Sequence, residues 1–178
     1  YDENHKIVAV PTLRRNPDAV IVDTSVIARA PRRLFVAGIG DAITKRFEVA
    51  RARDAGILNY FGGNGTDLSV LLADNAYNTL RRDASAALVT LDWGIPDVAF
   101  ERVVEATVLY SGLAFEGGGL SIAHGMLRGL TAYPQALNAL HGELVAYGLL
   151  VQMQTFGHAE EEIVDVTTFL QGVGLPIC

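Results

Sequence analysis

At 178 residues, half of them hydrophobic and 19% charged, the chain has the length for one domain with a substantial core and is too apolar to be disordered. A net charge of -6 argues against nonspecific nucleic-acid binding, which needs a basic surface. The single cysteine, Cys178, excludes an internal disulfide, and no apolar run reaches membrane-spanning length. Together with the lack of a charged-then-apolar leader, these features lead us to expect a cytoplasmic protein with neither nucleic-acid nor membrane partners.

In chain order, residues 1–22 read as extended segments, with His5 an exposed polar residue and the run from Asp18 to Thr24 (DAVIVDT) a short buried strand. Asp23, Thr24 and Ser25 offer caps to a short helix over Val26 to Ala30, which Pro31 stops. A helical pattern starts at Arg32 with Leu34 and Phe35, meets Gly38-Ile39-Gly40-Asp41, and resumes with Ala42, Ile43, Phe47 and Val49. The glycines suit a close backbone approach, and Asp41 reads on its own as an N-cap. Glu48 is expected to pair with a nearby arginine or to face water.

The loop from Phe61 to Thr66 lacks the preceding strand and the lysine of a phosphate loop, so Thr66 is read as the cap of a helix running to about Arg82. Leu68, Leu71, Leu72, Ala76 and Leu80 would point inward. After Trp93, Gly94 and Pro96, Asp97 caps a long helix burying Phe100, Val103, Val104, Val108 and Leu109. Next comes FEGGGLSIAHGMLRGL, Phe115 to Leu130, where Leu120, Ala123, Leu127 and Leu130 share one helix face beside His124. A buried imidazole needs partners for both ring nitrogens, so His124 is either a hydrogen-bonded core residue or a ligand. Gly117-Gly118-Gly119 reads as a packing turn.

Tyr133-Pro134 ends that run, and His141-Gly142-Glu143 opens a helix through Met153. His158 and Glu160-Glu161-Glu162 begin a last helix ending near Gly172, the histidine as a surface residue and the glutamates as a solvated first turn. No repeat, low-complexity linker or strand–GxGxxG–helix unit is present, so no dinucleotide-binding domain is expected in this sequence. The expected fold class is mainly α: one helical domain over residues 1–178 with a short extended N-terminal segment.

Three stretches in order, GIGDAITKRFE around Asp41, FEGGGLSIAHGMLRGL around His124, and LHGELVAYGLLVQ after Leu140, resemble the glycerol dehydrogenases. These form the polyol branch of the metal-dependent, iron-containing alcohol dehydrogenases, distant relatives of the dehydroquinate synthases. NPDAVIVDTSVIARAP and the closing FLQGVGLP are similar too. The resemblance covers nearly the whole chain but only the helical, metal-binding half of the family's architecture. It implies a dehydroquinate synthase-like helical domain in which Asp41, His124 and His141 hold a divalent metal, zinc or else iron. Two imidazoles and a carboxylate suit zinc and leave a position for substrate.

The resemblance further implies oxidation of a secondary alcohol in a small polyol, with hydride passing to NAD on a separate nucleotide-binding domain, and a homo-oligomeric assembly. Phe115 would line the substrate pocket. Where the family commonly reads HAIHNG, this sequence has Leu127 for a second histidine and Arg128 for a small amide. Arg128 therefore faces substrate in this reading, and a hydroxy or keto acid becomes an alternative to glycerol. The resemblance places the nucleotide-binding domain, a segment before Tyr1 carrying a pocket carboxylate, and the last helices after Cys178 outside this chain, which is then a fragment inactive by itself. Two other readings are a non-catalytic helical assembly module and a lyase of the dehydroquinate synthase type.

Overall fold

The computed structural model describes residues 15–177. His5, Cys178 and most of the expected N-terminal extended segment lie outside the described residues. Among the described residues there is no strand, and nine helices carry the chain. They are α1 (Thr24–Ile27), α2 (Arg32–Asp54), α3 (Asp67–Trp93), α4 (Val98–Glu105), α5 (Ser111–Gly118), α6 (Ile122–Gly125), α7 (Leu127–Leu130), α8 (His141–Thr155) and α9 (Glu160–Val173). No described helix is long and apolar enough to cross a membrane.

Capping chemistry sets several helix starts where the sequence puts them. Asp23 accepts the N–H of Ser25 at 3.0 Å, Thr66 that of Ser69 at 3.1 Å, and Asp97 that of Phe100 at 2.8 Å. Gly94 at φ 68° and Gly174 at φ 94° end α3 and α9 in the left-handed conformation that glycine adopts without penalty.

The core gathers between α2, α3 and α8. Phe35 stacks on Phe100 with ring centroids 5.0 Å apart, and Ile39, Ile43, Leu80, Val103, Leu149, Met153 and Leu170 are fully buried around them. The crossing of α2 over α8 is closer than side chains allow. A Cβ on Gly142 would lie 1.8 Å from the carbonyl oxygen of Ala37, and one on Gly40 would lie 2.7 Å from that of Gly142. That contact brings the first turn of α8, with His141, against the middle of α2.

Several expectations need correction. The run from Asp18 to Val22 is exposed and unpaired with any strand, with Ile21 93% exposed; its apolar residues specify extended backbone but do not supply a sheet to join. Asp41 is not an N-cap, because α2 continues unbroken through Gly38 and Gly40. Helix α3 extends past Arg82 to Trp93, and Leu68 and Leu71 face outward in its first turns.

The long helix begun at Asp97 is interrupted by a π-helical turn, Ala106–Tyr110, between α4 and α5. The extra residue in a π turn shifts the helix faces, so Val108 and Leu109 are exposed instead of buried. The run from Phe115 to Leu130 is not one helix either. Gly117 and Gly118 close α5, Gly119 turns at φ 86°, and two single-turn helices follow.

Candidate metal centre

Asp41 and His124 come from helices far apart in sequence, and the α2–α8 contact adds His141. The ligand atoms of Asp41, His124 and His141 all lie within 4.8 Å of one another. Nε2 of His124 is 3.1 Å from Oδ1 of Asp41, and the two imidazole centroids are 5.4 Å apart. One carboxylate and two imidazoles converging at this range are a donor set that fits a divalent ion.

Glu48 holds the arrangement together, contrary to the expectation that it meets arginine or water. It is fully buried on α2. Its Oε1 accepts the backbone N–H groups of Ser121 at 3.0 Å and His124 at 2.9 Å, while Oε2 accepts from Nδ1 of His124 at 2.5 Å. One carboxylate thus satisfies the backbone at the start of α6 and fixes the ring it carries. With Nδ1 donating to Glu48, Nε2 is turned toward Asp41 and His141. Gln152, also fully buried, accepts the N–H of Ala123 at 3.1 Å and ties α6 to α8.

A cation lies in the same space. Nζ of Lys45 donates to Oδ1 of Asp41 at 2.5 Å and to its carbonyl oxygen at 3.1 Å, and lies 3.4 Å from Nε2 of His124. Burial would push the Asp41 carboxyl up, but Lys45 and His124 outweigh it and hold the group well below the carboxylate range. Burial likewise works against the charged form of Glu48, and its bonds with His124 bring it below its ordinary value. His124 goes the other way: burial disfavours its charge, yet carboxylates on both nitrogens raise it. His141 keeps contact with solvent, but incomplete hydration, with His124 and Lys45 adding to it against Asp41, holds it below the ordinary histidine value.

Asp41, Lys45, His124 and His141 line a cavity of about 380 Å³, a size suited to a small ligand. Phe115 and Arg128 both line it, as does the buried Leu127. Phe115 stands 5.4 Å from the ring of Tyr60, and Thr107 and Ser111, on the π turn and just after it, complete the wall. Arginine, lysine and hydroxyls therefore face a largely apolar space. His158 is elsewhere, half-buried against Phe47 and Glu162.

The sequence reading missed Glu48, Lys45, Tyr60, Thr107 and Ser111 as residues of this site. The first two had a signal. Asp41, Lys45 and Glu48 are spaced by four and three, which puts them on one face of a single helix. A face carrying two carboxylates and an ammonium among apolar neighbours marks a buried polar site.

A chain so arranged can be set beside proteins of known activity. It is 42% identical over 165 residues to the glycerol dehydrogenase of Escherichia coli O6:H1, covering 93% of this chain and 45% of that protein. With the glycerol dehydrogenase of Pseudomonas putida the identity is 38% over 175 residues, covering 98% of this chain and 47% of the other. The fold superposes on the crystal structure of a probable glycerol dehydrogenase from Sinorhizobium meliloti with a TM-score of 0.94 and 37% identity, over 99% of this chain and 50% of that one.

Over nearly its whole length the chain is homologous to glycerol dehydrogenases. It spans about half the length of the curated relatives it matches. No protein-family model matches it. The likeness covers all three stretches that carry Asp41, His124 and His141.

Proposed function

We propose that this chain is the metal-binding half of an NAD-dependent polyol dehydrogenase that oxidises a secondary alcohol to a ketone. The observation that carries the reading is the convergence of Asp41, His124 and His141 to within 4.8 Å in the lining of a ligand-sized cavity. Those three residues would hold a divalent ion, which when bound supplies Lewis acidity toward an alcohol oxygen. Zinc suits the two imidazoles and one carboxylate, and iron remains the alternative metal of the same reading.

The chain's own residues then have separable tasks. Glu48 keeps Nδ1 of His124 as a donor and so keeps Nε2 directed at the site. Phe115 and Leu127 bound the cavity with apolar surface and exclude water from the carbon to be oxidised. Thr107 and Ser111 offer hydroxyls to the further oxygens of a polyol. NAD would be held by a nucleotide-binding domain beside this one, so residues 1–178 act as one helical domain and are inactive by themselves. A homo-oligomer in the cytoplasm completes the proposal, the single cysteine being consistent with a reducing setting.

Arg128 at the cavity wall favours a second substrate class, a hydroxy or keto acid, since a guanidinium pairs with a carboxylate in a bidentate way. Comparing glycerol with a 2-hydroxy acid, in this chain joined to its nucleotide-binding domain, separates the two classes.

The core of the proposal is tested by measuring bound metal in the purified chain after incubation with Zn²⁺. We expect about one ion per chain, and a loss of affinity of about a hundredfold or more in His124→Ala and Asp41→Ala. No bound ion in the wild type, or retention in both variants, would overturn the metal centre.

A further inference from the structure

Lys45 has no task in the reading above, yet it occupies the middle of the site. Its side chain is 5% exposed, and its ammonium is bonded to Oδ1 of Asp41, the oxygen that also faces Nε2 of His124. It also stands 3.4 Å from that Nε2. We propose that Lys45 is an internal competitor for the cation, neutralising Asp41 itself and thereby setting how tightly the site takes up a divalent ion. This rests on the metal-binding reading of Asp41, His124 and His141.

The physical argument concerns charge and shared atoms. Asp41 and Lys45 are four residues apart on α2, so the helix fixes them on one face and the pair forms without any ligand. A carboxylate partly withdrawn from water is unfavourable without a counter-charge, and the ammonium supplies that charge to Asp41. The cluster therefore has its shape before an ion arrives.

An incoming dication meets that ammonium at close range between Lys45 and His124, both largely withdrawn from water, where like charges repel more than in solvent. Both draw on the carboxylate of Asp41, and Nζ holds the oxygen that faces His124. Uptake of the ion thus requires Nζ to give up this oxygen, and the four-carbon stem of Lys45 lets Nζ turn into the cavity that the residue already lines. Arg128 lines the same cavity but is exposed and makes no bond to Asp41 in the structure. Its charge is free to stay in solvent when an ion binds.

The test is Zn²⁺ titration of the 178-residue chain by calorimetry against a competing chelator, at one pH, in wild type, Lys45→Met and Arg128→Met. Removing the competitor makes Lys45→Met bind Zn²⁺ about tenfold or more tightly, while Arg128→Met stays within about threefold of wild type. Thermal melting adds an independent readout. Lys45→Met melts below wild type without zinc, because Asp41 has lost its partner, and gains more than wild type when zinc is added.

Equal or weaker zinc binding in a folded Lys45→Met would overturn the proposal and leave the metal centre standing. Absence of binding in wild type and variant alike would overturn both. Binding by Lys45→Met alone supports the competition by Lys45 while overturning uptake of the ion by the wild-type site. If Lys45→Met does not fold, Lys45→Gln carries the same comparison, since it keeps a donor for Asp41 and drops the charge.

Discussion

Two histidine–glutamate pairs lie among the described residues, and only one of them builds a site. His124 meets Glu48 through Nδ1, and His158 meets Glu162 through Nδ1 at 2.8 Å, so the pairwise chemistry is the same. What differs is what else each partner touches. Glu48 is fully buried and serves two backbone N–H groups from another helix as well as the ring, whereas Glu162 is 42% exposed and four residues from its histidine. The far side of the His124 ring faces Asp41, while the ring of His158 packs edge-on against Phe47. A histidine with a carboxylate is a local motif; a centre requires distant donors held in one dry place.

The largest expected break in this contrast is energetic. Glu48→Ala leaves the N–H groups of Ser121 and His124 without their acceptor and removes the charge beside the His124 ring. We expect about 3–5 kcal/mol of destabilisation, the range for breaking a buried charged network. Glu162→Ala should cost less than about 1 kcal/mol, because the pair is solvent-screened. Urea melts of the two variants measure the difference directly, and equal losses would abolish the distinction drawn between the pairs.

A smaller effect should follow at the helix crossing that delivers His141. In Gly142→Ala the new methyl meets the Ala37 carbonyl oxygen, and α8 must move away from α2. We expect a loss of about 1–3 kcal/mol in thermal melts together with weaker zinc binding. Gly157→Ala is no substitute control, because Gly157 has φ 69°. Gly172→Ala, with open space around its Cβ position, is the matched control and should be neutral or slightly stabilising.

The smallest effect sharpens the comparison through a third carboxylate. Asp83 is buried like Glu48, but its partners Arg82 and Arg102 reach it from the surface. The bond from Arg82 outweighs burial and depresses its carboxyl below 3.8. A depressed carboxyl contributes stability above its unfolded value, and that contribution disappears as pH falls through the lower folded value. The gap in melting temperature between wild type and Asp83→Asn should therefore be full at neutral pH and shrink below about pH 3.8. A gap that widens on acidification would show that the arginine pairing is not its source.

Much of this protein was legible in its residues. Periodicity gave the helical class, and Asp23, Thr66 and Asp97 set helix starts through local chemistry that needs no neighbour. The motifs around Asp41, His124 and His141 carried a family likeness that the comparisons bear out. Phe115 and Arg128 were named from the same motifs, and both line the cavity.

Other features depend on contacts that no local pattern specifies. The sequence could not tell that the apolar run Val20-Ile21-Val22 stays exposed, because burial is a property of what packs against a segment. It could not place the π turn at Ala106–Tyr110, where one added residue redirects Val108 and Leu109 outward. The role of Glu48 was hidden for the same reason, since its partners are more than seventy residues away. Sequence by itself determined the helical class and several helix starts, because these follow from short-range geometry and side-chain chemistry, and its motifs pointed to the donor residues through the resemblance they carry. Only the tertiary structure decided that Asp41, His124 and His141 converge, and that Lys45 shares their space, because convergence requires the backbone of α8 to close on α2 where Gly40 and Gly142 leave room.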